Sequence, residues 1–237
     1  MKLKTVFFIL VSTILLSSCR KDKMEIRYSV LGDSYSALDG YLDPETNDPW
    51  PHFGDIGVTQ PEQMWWYQVG DVMKWEMDKN NSFSGSLICN LNYVNYYGPH
   101  SFIRRMDELG NPTVIFVFGG TNDAYVGAPL GDYVYADWTD EQLCEFRPAL
   151  AYLLDHLQQR HPGAKLYLMI DMDLGSGGID DSIRDAFIAS MHHVADHYHV
   201  VTIDLYNIYK NSWHPNVKGQ ERIANQVIEV VKANFNV

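Results

Sequence analysis

Residues 113–118 read Thr-Val-Ile-Phe-Val-Phe, apolar at every position after the threonine and rich in β-branched side chains. A strand of that composition has no face to offer water. It belongs inside a parallel sheet covered on both sides by helices. The rest of the chain agrees. Residues 25–31, 84–90, 165–170 and 199–203 read as further strands, and apolar residues recur at helical spacing over 63–78, 100–109, 139–160, 180–197 and 215–234. Thr139 stands as a cap for the third of these helices, with Pro162-Gly163 as its stop. Alternating strands and helices predict an α/β fold. The expected form is a single three-layer domain over residues 25–237, a central parallel sheet of about five strands with helices on both faces. A length of 237 residues suits one such domain. Residues 39–61 hold four prolines and predict a long loop of the kind that usually carries function.

The beginning of the chain reads differently. Lys2 and Lys4 precede an apolar run at 6–16, too short to span a bilayer and of signal-peptide length. The run ends in Leu16-Ser17-Ser18-Cys19, which resembles the lipobox of bacterial lipoproteins. That resemblance implies a signal peptide over 1–18, a lipidated Cys19 with a short tether over 19–24, and an exported lipoprotein anchored in the cell envelope. Lys and Arg number 18 against 30 Asp and Glu, a net charge of −12. Such a balance argues against nucleic acid and against an anionic membrane surface, so membrane contact is expected through the lipid alone. Cys89 and Cys144 remain, either bridged, as an exported protein permits, or buried as small apolar side chains.

Parallel sheets of this kind gather ligands at the carboxyl ends of their strands. Three segments there carry chemistry. Gly32-Asp33-Ser34-Tyr35-Ser36 follows the first strand, and a glycine ahead of the turn lets the chain bend so that the Ser34 hydroxyl stands clear. A serine hydroxyl is a weak nucleophile without a base in hydrogen-bond reach. Gly119-Gly120-Thr121-Asn122-Asp123 follows the central strand, where the Asn122 amide could donate to a developing oxyanion or simply serve a turn. Asn211-Ser212-Trp213-His214-Pro215-Asn216 precedes the last helix, and Pro215 at its head leaves His214 on the loop.

This order of blocks resembles the SGNH (GDSL-type) hydrolase family of esterases and lipases. The resemblance runs from Gly32 to the C-terminal helix and implies a flavodoxin-like fold. It also implies Ser34 as nucleophile and His214 as base, with an oxyanion hole built from Ser34, Gly85 in Ser84-Gly85-Ser86, and Asn122. One position departs from the pattern. Asn211 stands where the family has the aspartate that orients the histidine, and the corresponding exchange in a serine protease costs about 10⁴ in rate. Three arrangements follow: Asn211 holds the ring, a backbone carbonyl completes a Ser-His dyad, or a distant acid substitutes, with Asp171 and Asp204 as candidates.

Exported members of the family often remove acetyl groups from polysaccharides. A short-chain, acetyl-directed carbohydrate esterase is therefore the expected function. A lipase or thioesterase on longer acyl chains, and a glycan-binding lipoprotein that has lost catalysis, are the alternatives. Trp65, Trp66 and Trp213 are candidate sugar-stacking residues, with Trp50, Tyr93, Tyr96 and Tyr97 nearby in sequence. Trp65 and Trp66 point to opposed faces of one helix, so at most one is expected in the core. His192, His193, His197 and His199 read as a solvated helix face and Asp171-Met172-Asp173 as a strand-end turn. No metal and no cofactor are expected.

Overall fold

The computed structural model describes residues 25–38, 56–91, 100–174 and 178–235. The expected signal segment and Cys19, most of the 39–61 loop with Trp50, and Tyr93, Tyr96 and Tyr97 lie outside the described residues. Strands β1 (Arg27–Gly32), β2 (Glu76–Ser82), β3 (Val114–Phe118), β4 (Lys165–Asp171) and β5 (Val201–Leu205) form one parallel sheet in the order β2-β1-β3-β4-β5. This is the flavodoxin-like order, with its switch point between β1 and β3. The helices are α1 (Trp65–Met73), α2 (Phe102–Arg105), α3 (Thr121–Tyr125), α4 (Phe146–Arg160), α5 (Asp181–His197) and α6 (Val217–Phe235). A two-stranded hairpin of β6 (Lys210–Asn211) and β7 (His214–Pro215) precedes α6.

Every residue of β3 is buried. Ile115 and Val117 pack with α4 and α5 on one face, while Val114, Phe116 and Phe118 pack with α1 and α6 on the other. The alternation of side chains along a strand divides the apolar run between two cores. Gly32 of β1 pairs with Phe118 of β3 and with Ser82 of β2, so the carboxyl ends of three neighbouring strands are level.

The second strand lies elsewhere than expected. Residues 84–90 form turns, and their apolar side chains Leu87, Ile88 and Cys89 fill the core from a loop. The strand is Glu76–Ser82, a polar run that periodicity does not reveal. It is an edge strand with one neighbour, and its polar groups find partners there: Asp78 pairs with Arg27 at 2.5 Å, and the Asn81 amide donates to Arg105 O at 2.9 Å. Charged side chains are also what keeps such an edge from pairing with another chain. The expected helix at 63–78 accordingly ends at Met73, with Lys74 in a left-handed cap (φ 57°).

The expected helix at 139–160 begins instead at Phe146. Thr139 does accept from Gln142 N at 3.3 Å, but that bond lies at the short 3-10 turn Gln142–Cys144, ahead of the helix. Pro148 has no N–H and fits only a first turn, which sets the start just ahead of it. Cys89 and Cys144 are unpaired thiols, the first buried and the second half-buried. The late histidines His193 and His197 of α5 are exposed, with aromatic rings beside them. His193 lies 4.0 Å from the ring of Tyr133, and His197 stacks on Tyr135 at 3.6 Å.

Candidate active site

The chain leaves β1 through Gly32, where a Cβ would sit 2.6 Å from Ser82 Oγ and 2.8 Å from Ser36 Cβ. Only glycine fits between the Ser82 and Ser36 side chains at that spot. A tight turn follows, closed by Ser36 N donating to Asp33 O at 3.1 Å, and Tyr35 N donates to Asp33 Oδ1 at 2.9 Å. Ser34 is held at the tip. Trp65 and Trp66 brace this turn from behind, their indole N–H groups donating to Ser36 Oγ (3.1 Å) and Ser36 O (3.0 Å). Both tryptophans are buried core residues and neither lines the cleft above Ser34, which corrects the sugar-stacking expectation and the expectation that at most one is core. Burying two large rings outweighs displaying either one, because each indole N–H finds an acceptor inside.

That cleft has a volume of about 490 Å³ and brings together Ser34, Gly85, Asn122, Trp213 and His214, together with Thr121, Tyr125 and Val126. Gly85 has φ 75°, in the turn closed by Ser86 N to Phe83 O. Asn122 is the second residue of α3, whose cap Gly120 has φ 97°. Its amide donates to Ser86 O at 3.1 Å and lies 3.3 Å from Asp33 Oδ2. Asp123, the next residue, accepts from the backbone N–H groups of Ile88 and Cys89, so α3 and the Gly85 turn are fastened as one piece.

His214 arrives on the β6–β7 hairpin. Its two-residue turn is Ser212-Trp213, both left-handed at φ 46° and 73°. Two positive φ values are the mark of a type I′ turn, which normally draws Asn and Gly. The consequence lies in the ring. His214 Nδ1 bonds Ser212 O at 2.9 Å, and Nε2 lies 3.0 Å from Ser34 Oγ. A carbonyl only accepts, so Nδ1 carries the proton and Nε2 offers its lone pair to the serine hydroxyl. Of the three arrangements open from the sequence, this geometry is the backbone-carbonyl one. Asn211 Oδ1 accepts from Asn216 Nδ2 at 3.1 Å, Asp171 is engaged by Lys210 at 2.5 Å, and Asp204 lies 3.5 Å from His192. Burial lowers the His214 pKa below the ordinary imidazole value, the Ser212 carbonyl opposes this, and the Lys210 charge adds to it.

Several buried groups behind the cleft escape sequence reasoning. Arg105 is 5% exposed. Its guanidinium donates to Asn81 O and Oδ1, Gly32 O, Ser86 Oγ and His100 O, tying the ends of β1 and β2 to the Gly85 turn. Burial pulls its pKa down to about 9 and pushes Asp33 up to about 7 and Asp123 up to about 6. Tyr35 donates its hydroxyl to Trp213 O at 2.7 Å and packs edge-on against His214. One arginine in a short amphipathic segment carries no signal of its own. Only the fold brings five acceptors around it.

The profile of the GDSL-like lipase/acylhydrolase family matches residues 26–231. The chain belongs to that family. It is accordingly an ester hydrolase. Among solved structures, this GDSL hydrolase is similar to a protein of Bacteroides ovatus assigned as a GDSL-like lipase. The two are 40% identical with a TM-score of 0.78, over 88% of this chain and 99% of that one. A second protein so assigned, from Bacteroides uniformis, is 37% identical with a TM-score of 0.79, over 88% and 96%. A family two carbohydrate esterase from Clostridium thermocellum, solved in complex with cellohexaose, shares the fold at 14% identity and a TM-score of 0.61, over 90% and 65%. A comparison with curated proteins finds no match.

Proposed function

We propose that this GDSL hydrolase is a serine esterase that removes short acyl groups, acetyl above all, from carbohydrate, using Ser34 and His214 as a dyad. The observation that carries the reading is the 3.0 Å contact between Ser34 Oγ and His214 Nε2, on a ring whose other nitrogen is bonded to Ser212 O. As the Ser34 oxygen attacks the ester carbonyl, His214 takes its proton as general base. The negative charge on the former carbonyl oxygen faces the Ser34 and Gly85 backbone and the Asn122 amide. Collapse of the intermediate expels the sugar alcohol, which receives the proton from His214. Water then attacks the acyl-enzyme by the same base, releasing the carboxylic acid and free Ser34.

The short acyl group is supported by Gly85, Thr121 and Asn122, small or polar residues that line the cleft with Ser34. The sugar is supported by Tyr125 and Trp213 on the cleft wall, perpendicular rings 4.9 Å apart, with Tyr125 56% exposed. The likeness to a carbohydrate esterase of the same fold points the same way. Turnover of p-nitrophenyl acetate, butyrate and octanoate, beside acetate release from acetylated polysaccharide, tests the reading. It requires a preference for acetyl and loss of at least ~10³ in rate on Ser34→Ala. Preference for octanoate would make the enzyme a lipase, and turnover unaffected by Ser34→Ala would refute the dyad.

We propose further that the chain is exported and lipid-anchored at Cys19, a reading supported by the apolar run at 6–16 and the Leu-Ser-Ser-Cys sequence. Labelling of the expressed protein with a radioactive fatty acid should be abolished by Cys19→Ala, and labelling that persists refutes the anchor.

A further inference from the structure

Behind the hairpin lies a charged pair that the dyad chemistry does not use. Lys210, in β6, is one residue before Asn211, whose partner across the hairpin is His214. Its ammonium donates to Asp171 Oδ2 at 2.5 Å and to Asp173 O at 2.9 Å. Both side chains are almost wholly removed from water, 5% and 1% exposed. Asp171 is the last residue of β4, and its other oxygen accepts from Asp173 N at 3.1 Å, so the carboxylate is itself aligned. The Asp-x-Asp sequence at the end of β4 thus holds a lysine of the same chain.

The pair reaches His214 by two routes. Through the backbone, it clamps the base of a hairpin whose tip holds two non-glycine residues in the left-handed region, a conformation that persists only where surroundings impose it. Through the ring of Tyr35, it reaches the imidazole in space. The Lys210 ammonium lies 5.5 Å from the Tyr35 centroid, the same ring packs edge-on against His214 at 5.6 Å, and its hydroxyl holds Trp213 O.

We propose that the buried Lys210–Asp171 pair is a positioning element for His214, which pins the hairpin to the end of β4 and sets the lysine ammonium against the Tyr35 ring that packs on the imidazole. This deepens the dyad reading above and rests on it. A serine triad places a carboxylate on Nδ1, where it orients the ring and stabilises the imidazolium. Here the Ser212 carbonyl orients, and the charge next to the hairpin is cationic. Such an arrangement disfavours the imidazolium in the resting enzyme and keeps Nε2 free to accept the serine proton. The titratable and charged groups next to the ring are Ser34 and Tyr35 after β1 and Lys210 on its own hairpin, while Asp33 after β1 and Asp171 and Asp173 at and after β4 act on Tyr35. Of these, Lys210 is the one whose charge lowers the His214 pKa, beside the larger lowering by burial.

The test uses Lys210→Met and, because a lone buried carboxylate can unfold a protein, the doubly neutral Lys210→Met/Asp171→Asn. Two readouts are needed: the pH profile of kcat and KM on p-nitrophenyl acetate, and the titration of the His214 imidazole followed by NMR. A folded double variant should lose about 10- to 100-fold in kcat with little change in KM. Its His214 titration and the acid limb of its profile should both move to higher pH. A merely structural pair would lower the melting temperature and leave both unmoved, and that result overturns the proposal. If the unaltered enzyme shows no turnover above the Ser34→Ala blank, the esterase reading fails instead. The NMR titration then decides alone: an upward move in the variant sustains the pair's action on His214, and an unmoved one removes it.

Discussion

The ring of His214 is oriented by the carbonyl of Ser212, two residues earlier on the same hairpin turn, at 2.9 Å. The imidazole and the group that orients it therefore come from one tight turn rather than from two separate elements. In a triad, the tertiary structure must bring a distant carboxylate to the ring. Here a local backbone conformation turns a carbonyl onto the ring, with two left-handed residues as its cost.

Asn211 faces Asn216, and the ring proton is bonded to Ser212. Asn211→Asp is expected to leave kcat on p-nitrophenyl acetate within about threefold of the parent. An exchange at the orienting position of a triad is worth ~10⁴. A gain of tenfold or more would put residue 211 on the ring.

Asn122 is expected to matter far more. Its amide is aimed by Ser86 O and stands in the cleft beside Ser34 and Gly85. Asn122→Ala should lower kcat by ~10²–10³, with a smaller change in KM, since an oxyanion donor acts chiefly in the transition state. Steady-state kinetics decide it, and a loss below tenfold removes Asn122 from the oxyanion hole.

From the core, Trp66 supports the turn that carries Ser34. Trp66→Phe removes the hydrogen bond to Ser36 O and part of a buried ring, and should cost about 1–3 kcal/mol in stability. The Asn80 amide still reaches that carbonyl at 3.1 Å, which limits the loss. Thermal unfolding should show the change while KM for acetylated oligosaccharide stays constant. A raised KM with unchanged stability would return Trp66 to the binding surface.

Asp33 gives the enzyme a pH-dependent stability. Burial, ahead of the opposing Tyr35 N–H bond, pushes its pKa up to about 7. The native state then holds a proton that the unfolded chain has already released above its ordinary pKa of about 4. Its contribution is therefore fully favourable below pH 4, is lost as pH rises, and is gone above about 7. Asp33→Asn removes the ionisation. The difference in melting temperature between this variant and the parent should move in the variant's favour from pH 4 to 7 and then level off. A difference that is flat across that range would show Asp33 ionised throughout.

Residues 113–118 were legible as a buried central strand because an apolar run on both faces has one stable environment. The three motif blocks were legible because turns at strand ends need glycine, and the chemistry needs Ser, Asn and His. The edge strand Glu76–Ser82 was not legible. Its polar side chains are satisfied by Arg27 and by the α2 backbone, partners far away in sequence. The tryptophans misled for a related reason. An indole looks alike in a cleft or a core until its N–H partner is known, and Ser36 supplies that partner for both.

The sequence by itself determined the fold class, the buried strands of the sheet, and which serine and which histidine stand in turns beside them, because periodicity and turn chemistry are local. Only the tertiary structure decided what orients His214, what Asp171 and Arg105 bind, and where the aromatic rings lie. Those outcomes depend on groups as far apart as Tyr35 and Trp213 meeting within hydrogen-bond distance, and burial then settles which of them stay charged.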